Sequence, residues 1–287
     1  MLLRDLRTLF QNDLQPIYPK AEIDSILDIL LEHYLGIGRF ILAMQPRYSL
    51  TKEEEQPLIE ALARLIDEEP VQYITGTAHF FGLDFQVNPS VLIPRPETED
   101  LIRWILQELK GHDQELNILD VGTGSGNIAI SLAKQLPNSR VYALDICEEA
   151  LETAKINSET NGVSVQFIQG DIREIDRLNG PYDIIVSNPP YVRLSERGMM
   201  KNNVKRYEPW EALFVPDQAP LLFYEFLSNF GKNNLRVGGA LYLEINQYLG
   251  QEVLKLLSEY DYINIELKSD LFGKDRMVRA VFSGETL

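Results

Sequence analysis

Asn188-Pro189-Pro190-Tyr191 is the stretch whose residue types speak most directly of chemistry. It follows the apolar run Tyr182-Asp183-Ile184-Ile185-Val186-Ser187, bounded upstream by Gly180-Pro181, which reads as a buried strand. Neither Pro189 nor Pro190 can donate a ladder hydrogen bond, so the strand must stop there. Each proline also pushes the residue before it towards an extended conformation. The strand's carboxyl end thus becomes a stiff segment with free carbonyls and an aromatic ring beside them. Such a segment suits a planar group bearing an NH2. The Asn188 side-chain oxygen and the Pro189 carbonyl can take its two N–H protons while Tyr191 stacks on its flat face. Pro-Pro alone marks a loop, but Asn-Pro-Pro-Tyr directly after a β-run is more specific, and with the glycine loop upstream it implies methyl transfer.

That loop is Gly122-Thr123-Gly124-Ser125-Gly126, between the strand Asn117–Val121 and a helix over about 127–135. Alternate glycines let the backbone turn sharply and approach a ligand, with the helix amino terminus facing the bound group. Gly124-x-Gly126-x-x-Ala129 also satisfies the looser dinucleotide fingerprint, and Asp145, at the end of the next strand, lies at about the distance expected of a ribose ligand. Loop and aspartate together fit an adenosine ribose without saying which cofactor carries it. Asn-Pro-Pro-Tyr decides for S-adenosylmethionine. Asp171, after a strand over about 165–168, fits either an acceptor for the adenine amino group or a turn aspartate following Gly170.

Composition bounds the rest. The 287 residues make one large or two modest domains, and 45% hydrophobic with 24% charged residues is ordinary for a soluble protein. No run approaches the roughly 18 apolar residues of a membrane span, and Arg4, Asp5 and Arg7 interrupt what a signal peptide would keep apolar. Cys147 is the single cysteine and reads as a small packing residue, while His33, His79 and His112 have no metal-ligand spacing. A cytoplasmic, monomeric protein without metal is expected. The net charge of −16 repels phosphate backbones and argues against a nucleic-acid partner, although a local basic patch can override a global sign.

The elements that must position these residues follow in order. Leu2, Leu3, Leu6, Leu9 and Phe10 share a helical face, Ile23 to Tyr34 repeat the pattern up to Gly36, and a third helix is expected from about Pro57 to Ile66. This gives a helical domain over 1–74. A β-hairpin around Gly82 and a proline-rich linker fill 75–96, and a methyltransferase domain fills 97–287. Arg95, in the linker, faces either the carboxylate of an amino-acid cofactor or solvent. A helix over 97–110 begins the strand–helix alternation, which continues with a helix over 148–159, a helix over 219–230, a strand over 240–245 and a helix over 251–260. The alternation predicts a doubly wound, mainly parallel sheet with ligands outside the strands' carboxyl ends. The last two strands, 263–268 and 277–282, are joined by a short turn and should pair antiparallel. Between them and the site, residues 193–210 hold Arg193, Arg197, Lys201, Lys205 and Arg206. That segment is either a basic lid that steers a substrate or a solvated loop, and Tyr207 and Trp210 after it could line a substrate channel.

Over its whole length the chain resembles the peptide-chain release factor glutamine methyltransferases, the PrmC/HemK family. The resemblance is carried by Ile93-Pro94-Arg95-Pro96-Glu97-Thr98-Glu99, by Asp120-Val121-Gly122-Thr123-Gly124-Ser125-Gly126, by Asn188-Pro189-Pro190-Tyr191 and by Tyr207-Glu208-Pro209. It implies a Rossmann-like S-adenosylmethionine-dependent methyltransferase fold, with a mainly parallel seven-stranded sheet and an antiparallel closing strand. It also implies methylation of the side-chain amide of glutamine in the Gly-Gly-Gln motif of release factors, leaving S-adenosyl-L-homocysteine. Cofactor contacts are implied from Gly122 to Gly126, from Asp145, and from Asp171 with Ile172, with Asn188, Pro189, Pro190 and Tyr191 holding the glutamine. Some family members have a bulky aromatic where this chain has Ile172, which leaves an apolar or backbone contact at that point.

The chemistry fits the residues independently. An amide nitrogen is a poor nucleophile because its lone pair is delocalised into the carbonyl. Two acceptors gripping its hydrogens orient that lone pair and favour a pyramidal nitrogen. A neutral hydrogen bond contributes only about 0.5–1.5 kcal/mol net, whereas alignment of two reactants accounts for up to ~7–11 kcal/mol. Positioning therefore dominates and no strong general base is required. The alternatives are methylation of another protein glutamine or of an exocyclic base amine, a dinucleotide-dependent oxidoreductase using the glycine loop, and a catalytically silent binding module.

Overall fold

The computed structural model describes residues 1–111, 114–178, 180–270 and 272–284, so His112 lies outside the described residues. The chain divides into two units, residues 1–77 with 201–207 and residues 78–200 with 208 onward.

The first unit is helical. Leu3, Leu6, Phe10 and Leu14 recur at helical spacing and are all buried in α1 (Leu3–Leu14). In α2 (Lys20–Leu35) the buried face runs from Ile23 to Leu31, and Gly36, at φ 64°, closes the helix in the left-handed conformation. The short α3 (Ile41–Met44) and α5 (Val71–Thr75) flank α4 (Lys52–Ile66) in sequence. α4 begins five residues before the expected start. Thr51 accepts the Glu54 N–H at 3.3 Å and the Glu54 carboxylate accepts the Thr51 N–H at 2.8 Å, a reciprocal cap that nucleates the helix ahead of Pro57. Pro57 then sits in the second turn, where only one backbone bond is lost.

The second unit begins with the hairpin of β1 (Thr77–Phe80) and β2 (Leu83–Gln86). Its two turn residues, Phe81 and Gly82, both take positive φ, the signature of a tight hairpin turn. There follow α6 (Thr98–Glu108), β3 (Asn117–Val121), α7 (Asn127–Gln135), β4 (Arg140–Asp145), α8 (Glu148–Thr160), β5 (Val165–Gln169) and β6 (Tyr182–Ser187). After the short β7 (Val192–Arg193) come α9 (Asn202–Tyr207), which belongs to the first unit, and the short β8 (Phe214–Val215). The chain ends with α10 (Leu222–Asn234), β9 (Leu235–Glu244), α11 (Gly250–Glu259), β10 (Tyr262–Ser269) and β11 (Asp275–Phe282).

Seven strands form one sheet in the order β10-β11-β9-β6-β3-β4-β5. All neighbours are parallel except β11, which runs antiparallel to both β9 and β10. This is the doubly wound, mainly parallel sheet expected from the alternation, with the antiparallel closing strand of the Rossmann-like methyltransferase fold that the resemblance implies. One apolar layer packs Leu101, Trp104, Ile118 and Ile130 with the hairpin's Phe80 and Phe85. A second, built on Leu119, Ile185, Leu227, Leu243 and Val253, holds α10 and α11. Strand residues 118–119 and 184–185 thus feed opposite layers, the two-residue period of a sheet covered on both sides.

Besides the start of α4, two elements differ from expectation by more than two residues. β9 starts at Leu235 rather than Ala240, because Gly238 and Gly239 lie inside the strand at a register shift against β6 instead of preceding it. α10 starts at Leu222 and runs on to Asn234, whose side chain accepts the Leu178 N–H and donates to the Asp176 and Phe230 carbonyls.

Candidate active site

From β3 the chain runs outward through β4 and β5, then returns to β6 on the other side of β3. Such a switch point opens a crevice at the strands' carboxyl ends. Val121 pairs in register with Ser187, and the Ser187 hydroxyl donates to the Val121 carbonyl at 2.7 Å. The glycine loop and Asn188 therefore leave the sheet side by side. A cavity of about 630 Å³ lies there, within the second unit. That volume suits a nucleoside-sized ligand. Gly122 to Ser125, Asp145, Asp171, Ile172 and the turn from Asn188 to Pro190 all line it, whereas Gly126, expected among the cofactor contacts, does not.

The loop's backbone has a physical reason for each feature. Gly124 sits at φ 54° with nothing within 4 Å of where a Cβ would stand, so bare backbone faces open space. Gly126, at φ 80°, is constrained from the other side: a Cβ there would meet Ile130 Cδ1 at 2.8 Å and Ala154 Cβ at 3.1 Å. Asp145 holds the loop's mouth, accepting the Gly124 N–H on Oδ2 at 2.8 Å and the Cys147 N–H on Oδ1 at 3.0 Å. Burial raises its pKa while these backbone bonds oppose the rise. Each oxygen keeps a lone pair for a hydroxyl donor, which fits a ribose. From within β3, Asp120 Oδ2 accepts the Thr123 hydroxyl at 2.6 Å and the Ala129 N–H at 3.2 Å, fastening loop to helix. Desolvation pushes this carboxyl up to about 7. Asn157 of α8 donates to the Ser125 carbonyl and exchanges bonds with Gln86 of the hairpin, so β2 also braces the loop. Open space over bare backbone beside a buried carboxylate is what an adenosine-bearing cofactor needs.

Asn188 lines the cavity, and its Nδ2 donates to Thr98 Oγ1 at 3.3 Å. Thr98 in turn donates to Glu244 Oε2 at 2.6 Å. Tyr191 departs from the expected stack on the substrate. It does not line the cavity; its hydroxyl donates to Glu244 Oε1 at 3.0 Å, and its ring packs against the core layer under α10. Burial, then the neighbouring Glu244 charge, pushes the Tyr191 hydroxyl well above its ordinary value. Burial likewise raises Glu244, against the bonds from Thr98 and Tyr191 and the charge of Arg276. Asn246 donates to the Tyr191 carbonyl at 3.0 Å and to Glu196 at 3.0 Å, pinning the chain that leaves the turn.

The remaining candidates resolve individually. Arg95 is not a solvated linker residue: it lines the cavity and is paired with the buried Glu208 at 2.5 Å. Asp171 receives the Arg173 N–H and guanidinium, and the side-chain bonds from Arg173 hold its pKa below the usual value. Cys147 lines the cavity at the start of α8 instead of packing in a core. In the basic segment three of the five cations are paired with carboxylates, and Arg197 lies over the Trp210 ring. Arg193 pairs with Glu196, Lys201 with Glu22 and Arg206 with Asp67. Trp210 lines the cavity, whereas the Tyr207 hydroxyl donates to Asp67. Among the described residues no cluster of His, Cys, Asp or Glu could hold a metal ion, and no helix is long and apolar enough to cross a membrane.

Sequence reasoning missed Thr98, Glu244, Asn246 and Asn157 as parts of the site. One signal was available: Glu244 is a carboxylate closing an apolar strand in the middle of the sheet, where charge is rare unless it is paired.

A family model described as the PrmC N-terminal domain matches residues 5–76, and one described as a methyltransferase domain matches residues 112–231. A release factor glutamine methyltransferase of Flavobacterium psychrophilum is 46% identical over 284 residues, spanning 98% of this chain and 100% of that protein. The chain belongs to the release factor glutamine methyltransferase family. The family's member from Bacteroides thetaiotaomicron is 42% identical over 271 residues, covering 94% of this chain and 96% of that one. A methyltransferase of Pyrococcus furiosus, 20% identical, shares the fold with a TM-score of 0.51 over 82% of this chain and 100% of its own. Membership in the release factor glutamine methyltransferase family makes the chain an enzyme of the methyltransferase class and removes the oxidoreductase and silent-module alternatives.

Proposed function

We propose that the chain methylates the side-chain amide nitrogen of the glutamine in the Gly-Gly-Gln motif of a peptide-chain release factor, in the cytoplasm, with S-adenosylmethionine as donor and S-adenosyl-L-homocysteine as product. The observation that carries this is two acceptors, Asn188 and Pro189, at the end of β6 in the same cavity as the bare glycine loop. Bound S-adenosylmethionine supplies a methyl group on a sulfonium, an electrophile that needs no further activation. The chain's own residues bind and orient. Backbone from Gly122 to Ser125 faces the donor's amino-acid end while Gly126 turns the loop into its helix, Asp145 accepts ribose hydroxyls, and Ile172 with Asp171 bounds the adenine. The Asn188 side-chain oxygen and the Pro189 carbonyl accept the two N–H protons of the glutamine amide and turn its lone pair away from them. The surplus proton leaves once the nitrogen is cationic and acidic, so the site needs no base.

The helical domain (1–74) serves substrate recognition in this reading, with 75–96 as hairpin and linker and 97–287 as the catalytic domain. A nucleic-acid base is disfavoured by the net charge of −16 and by the pairing of Arg193, Lys201 and Arg206. Incubation with methyl-labelled donor and a release factor tests the proposal. Label should enter the intact factor and be lost when its Gly-Gly-Gln glutamine is replaced; label persisting after replacement would overturn it.

A further inference from the structure

Asn188 must present oxygen, not NH2, to the cavity if it is to accept hydrogens from a substrate amide. Nothing intrinsic to an asparagine side chain chooses between those two orientations, which differ by a flip of the amide. The choice is made by what holds its other end. Here that is Thr98, whose hydroxyl carries one hydrogen and can accept others. The hydrogen is committed to Glu244 Oε2 at 2.6 Å. Thr98 Oγ1 can therefore only accept from Asn188, which turns Nδ2 towards Thr98 and leaves Oδ1 on the cavity side.

We propose that Thr98 and Glu244 are positioning residues, a buried relay that fixes the Asn188 amide with its oxygen towards the substrate. The inference rests on the proposed reading of Asn188 as the residue that grips the glutamine amide. Both members are 1% exposed, so water does not compete for the Thr98 hydroxyl. The carboxylate's second oxygen is occupied by Tyr191 at 3.0 Å. Burial raises the Glu244 pKa, while the bonds from Thr98 and Tyr191 and the charge of Arg276 oppose that rise and favour the acceptor-only form that the relay needs. Thr98 opens α6 and Glu244 ends β9, so two rigid elements from opposite parts of the chain meet behind the strand-end turn. The relay also gives the Thr-Glu of the proline-rich segment separate tasks. Thr98 orients Asn188, while Glu99 accepts the Phe81 N–H at 2.9 Å and fastens the hairpin.

Three variants and two readouts test this. Thr98→Val keeps the shape of the side chain and removes the hydroxyl. Its methyl-transfer rate at saturating donor and release factor should fall about 10- to 100-fold, the scale expected when a reacting group is misoriented. KM for the release factor and the donor's calorimetric Kd should stay within about threefold, because the contacts proposed for the donor are made by other residues. Thr98→Ser, which retains the hydroxyl, should recover most of the rate. Glu244→Gln keeps volume but can donate to Thr98 and so release its hydrogen towards Asn188; it should lose tenfold or more. A folded Thr98→Val or Glu244→Gln protein at the wild-type rate overturns the relay, as does failure of serine to rescue. The second readout needs no substrate: the Asn188 side-chain amide signals in a 15N spectrum, assigned by their loss in Asn188→Asp. The proton bonded to Thr98 should move upfield in Thr98→Val, and unchanged shifts overturn the proposal. Wild-type protein that leaves release factors unmethylated sinks the functional reading instead, while the spectrum still decides the relay.

Discussion

Glu208 Oε1 takes the guanidinium of Arg95 at 2.5 Å across 113 residues of sequence, while Glu208 Oε2 accepts the Ile93 N–H at 3.2 Å. One carboxylate, with a side chain only 1% exposed, thus holds the proline-rich segment against the chain that follows the basic stretch. Pro94, Arg95, Pro209 and Trp210 all line the cavity, so this pair ties together two segments of its walls. Glu208→Ala should lower the unfolding free energy by ~2–4 kcal/mol, since it strands a buried backbone N–H and unpairs a cation. Denaturant titration checks the stability, and calorimetry should show donor affinity falling with it. An unchanged midpoint would mean that the walls are held by other contacts.

Asn188→Ala separates gripping from cofactor binding. Asn188 is held by Thr98, whereas Asp145 holds the Gly124 and Cys147 N–H groups, so the two side chains have separate partners. Single-turnover methyl transfer should drop by roughly 100-fold or more if alignment supplies most of the acceleration. Donor affinity should change by no more than a few-fold. Near-normal turnover would refute the role given to Asn188.

What can be read in the sequence divides along physical lines. Elements defined by their own local pattern are readable to the residue: Asn117–Val121, Asn127–Gln135 and Tyr182–Ser187 have the bounds that apolar runs, glycines and prolines imply. Local chemistry that competes with a simple rule misleads, as where the Thr51–Glu54 cap starts α4 ahead of Pro57. The deeper part of the site is hidden because it is not local. Thr98 lies 90 positions from Asn188 and 146 from Glu244, and no periodicity links them. Tyr191 falls on the unexpected side of the turn for the same reason. The sequence shows an aromatic ring next to Pro190, but only the fold reveals a buried carboxylate waiting for its hydroxyl.

Asp145→Ala should act in the opposite sense to Asn188→Ala. It removes the proposed ribose acceptor and also unties the Gly124 and Cys147 N–H groups. Hydrogen bonds to a charged group are worth about 1.5–3 kcal/mol each, so donor Kd should rise by ~10- to 100-fold. Turnover at saturating donor should change less. Calorimetric titration decides, and an unaltered affinity would remove Asp145 from the donor site.

Gly126→Ala tests the loop's backbone without touching a polar group. The variant would hold alanine at φ 80° and press its Cβ on Ile130 and Ala154. Strain of this kind costs about 1–3 kcal/mol. Thermal unfolding should therefore move down, and donor binding should weaken because α7 must shift relative to the loop. Gly124→Ala meets no atom within 4 Å and should cost less stability, so the order of the two midpoints is the measurement.

Asp120 makes stability depend on pH in a direction opposite to that of a paired carboxylate. Its folded pKa is raised from 3.8 to about 7, chiefly by burial, while Oδ1 has no hydrogen-bond partner among the described residues. Between those two values the folded state binds more proton than the unfolded chain, so stability is highest below about pH 4 on this group's account. It is lost progressively as pH rises through 7. Asp120→Asn cannot ionise, yet its carbonyl oxygen can still accept from Thr123 and Ala129. The stability difference between variant and wild type should therefore grow in the variant's favour from pH 4 to pH 7, by on the order of 2–4 kcal/mol, and level off above that. Denaturant unfolding of both proteins across this range checks it, because the contributions of carboxylates that do not interact with Asp120 cancel in the difference, leaving Asp145 as the neighbour whose charge also bears on it. Parallel curves would mean that Asp120 is already ionised at low pH and that its buried oxygen is better solvated than its surroundings allow.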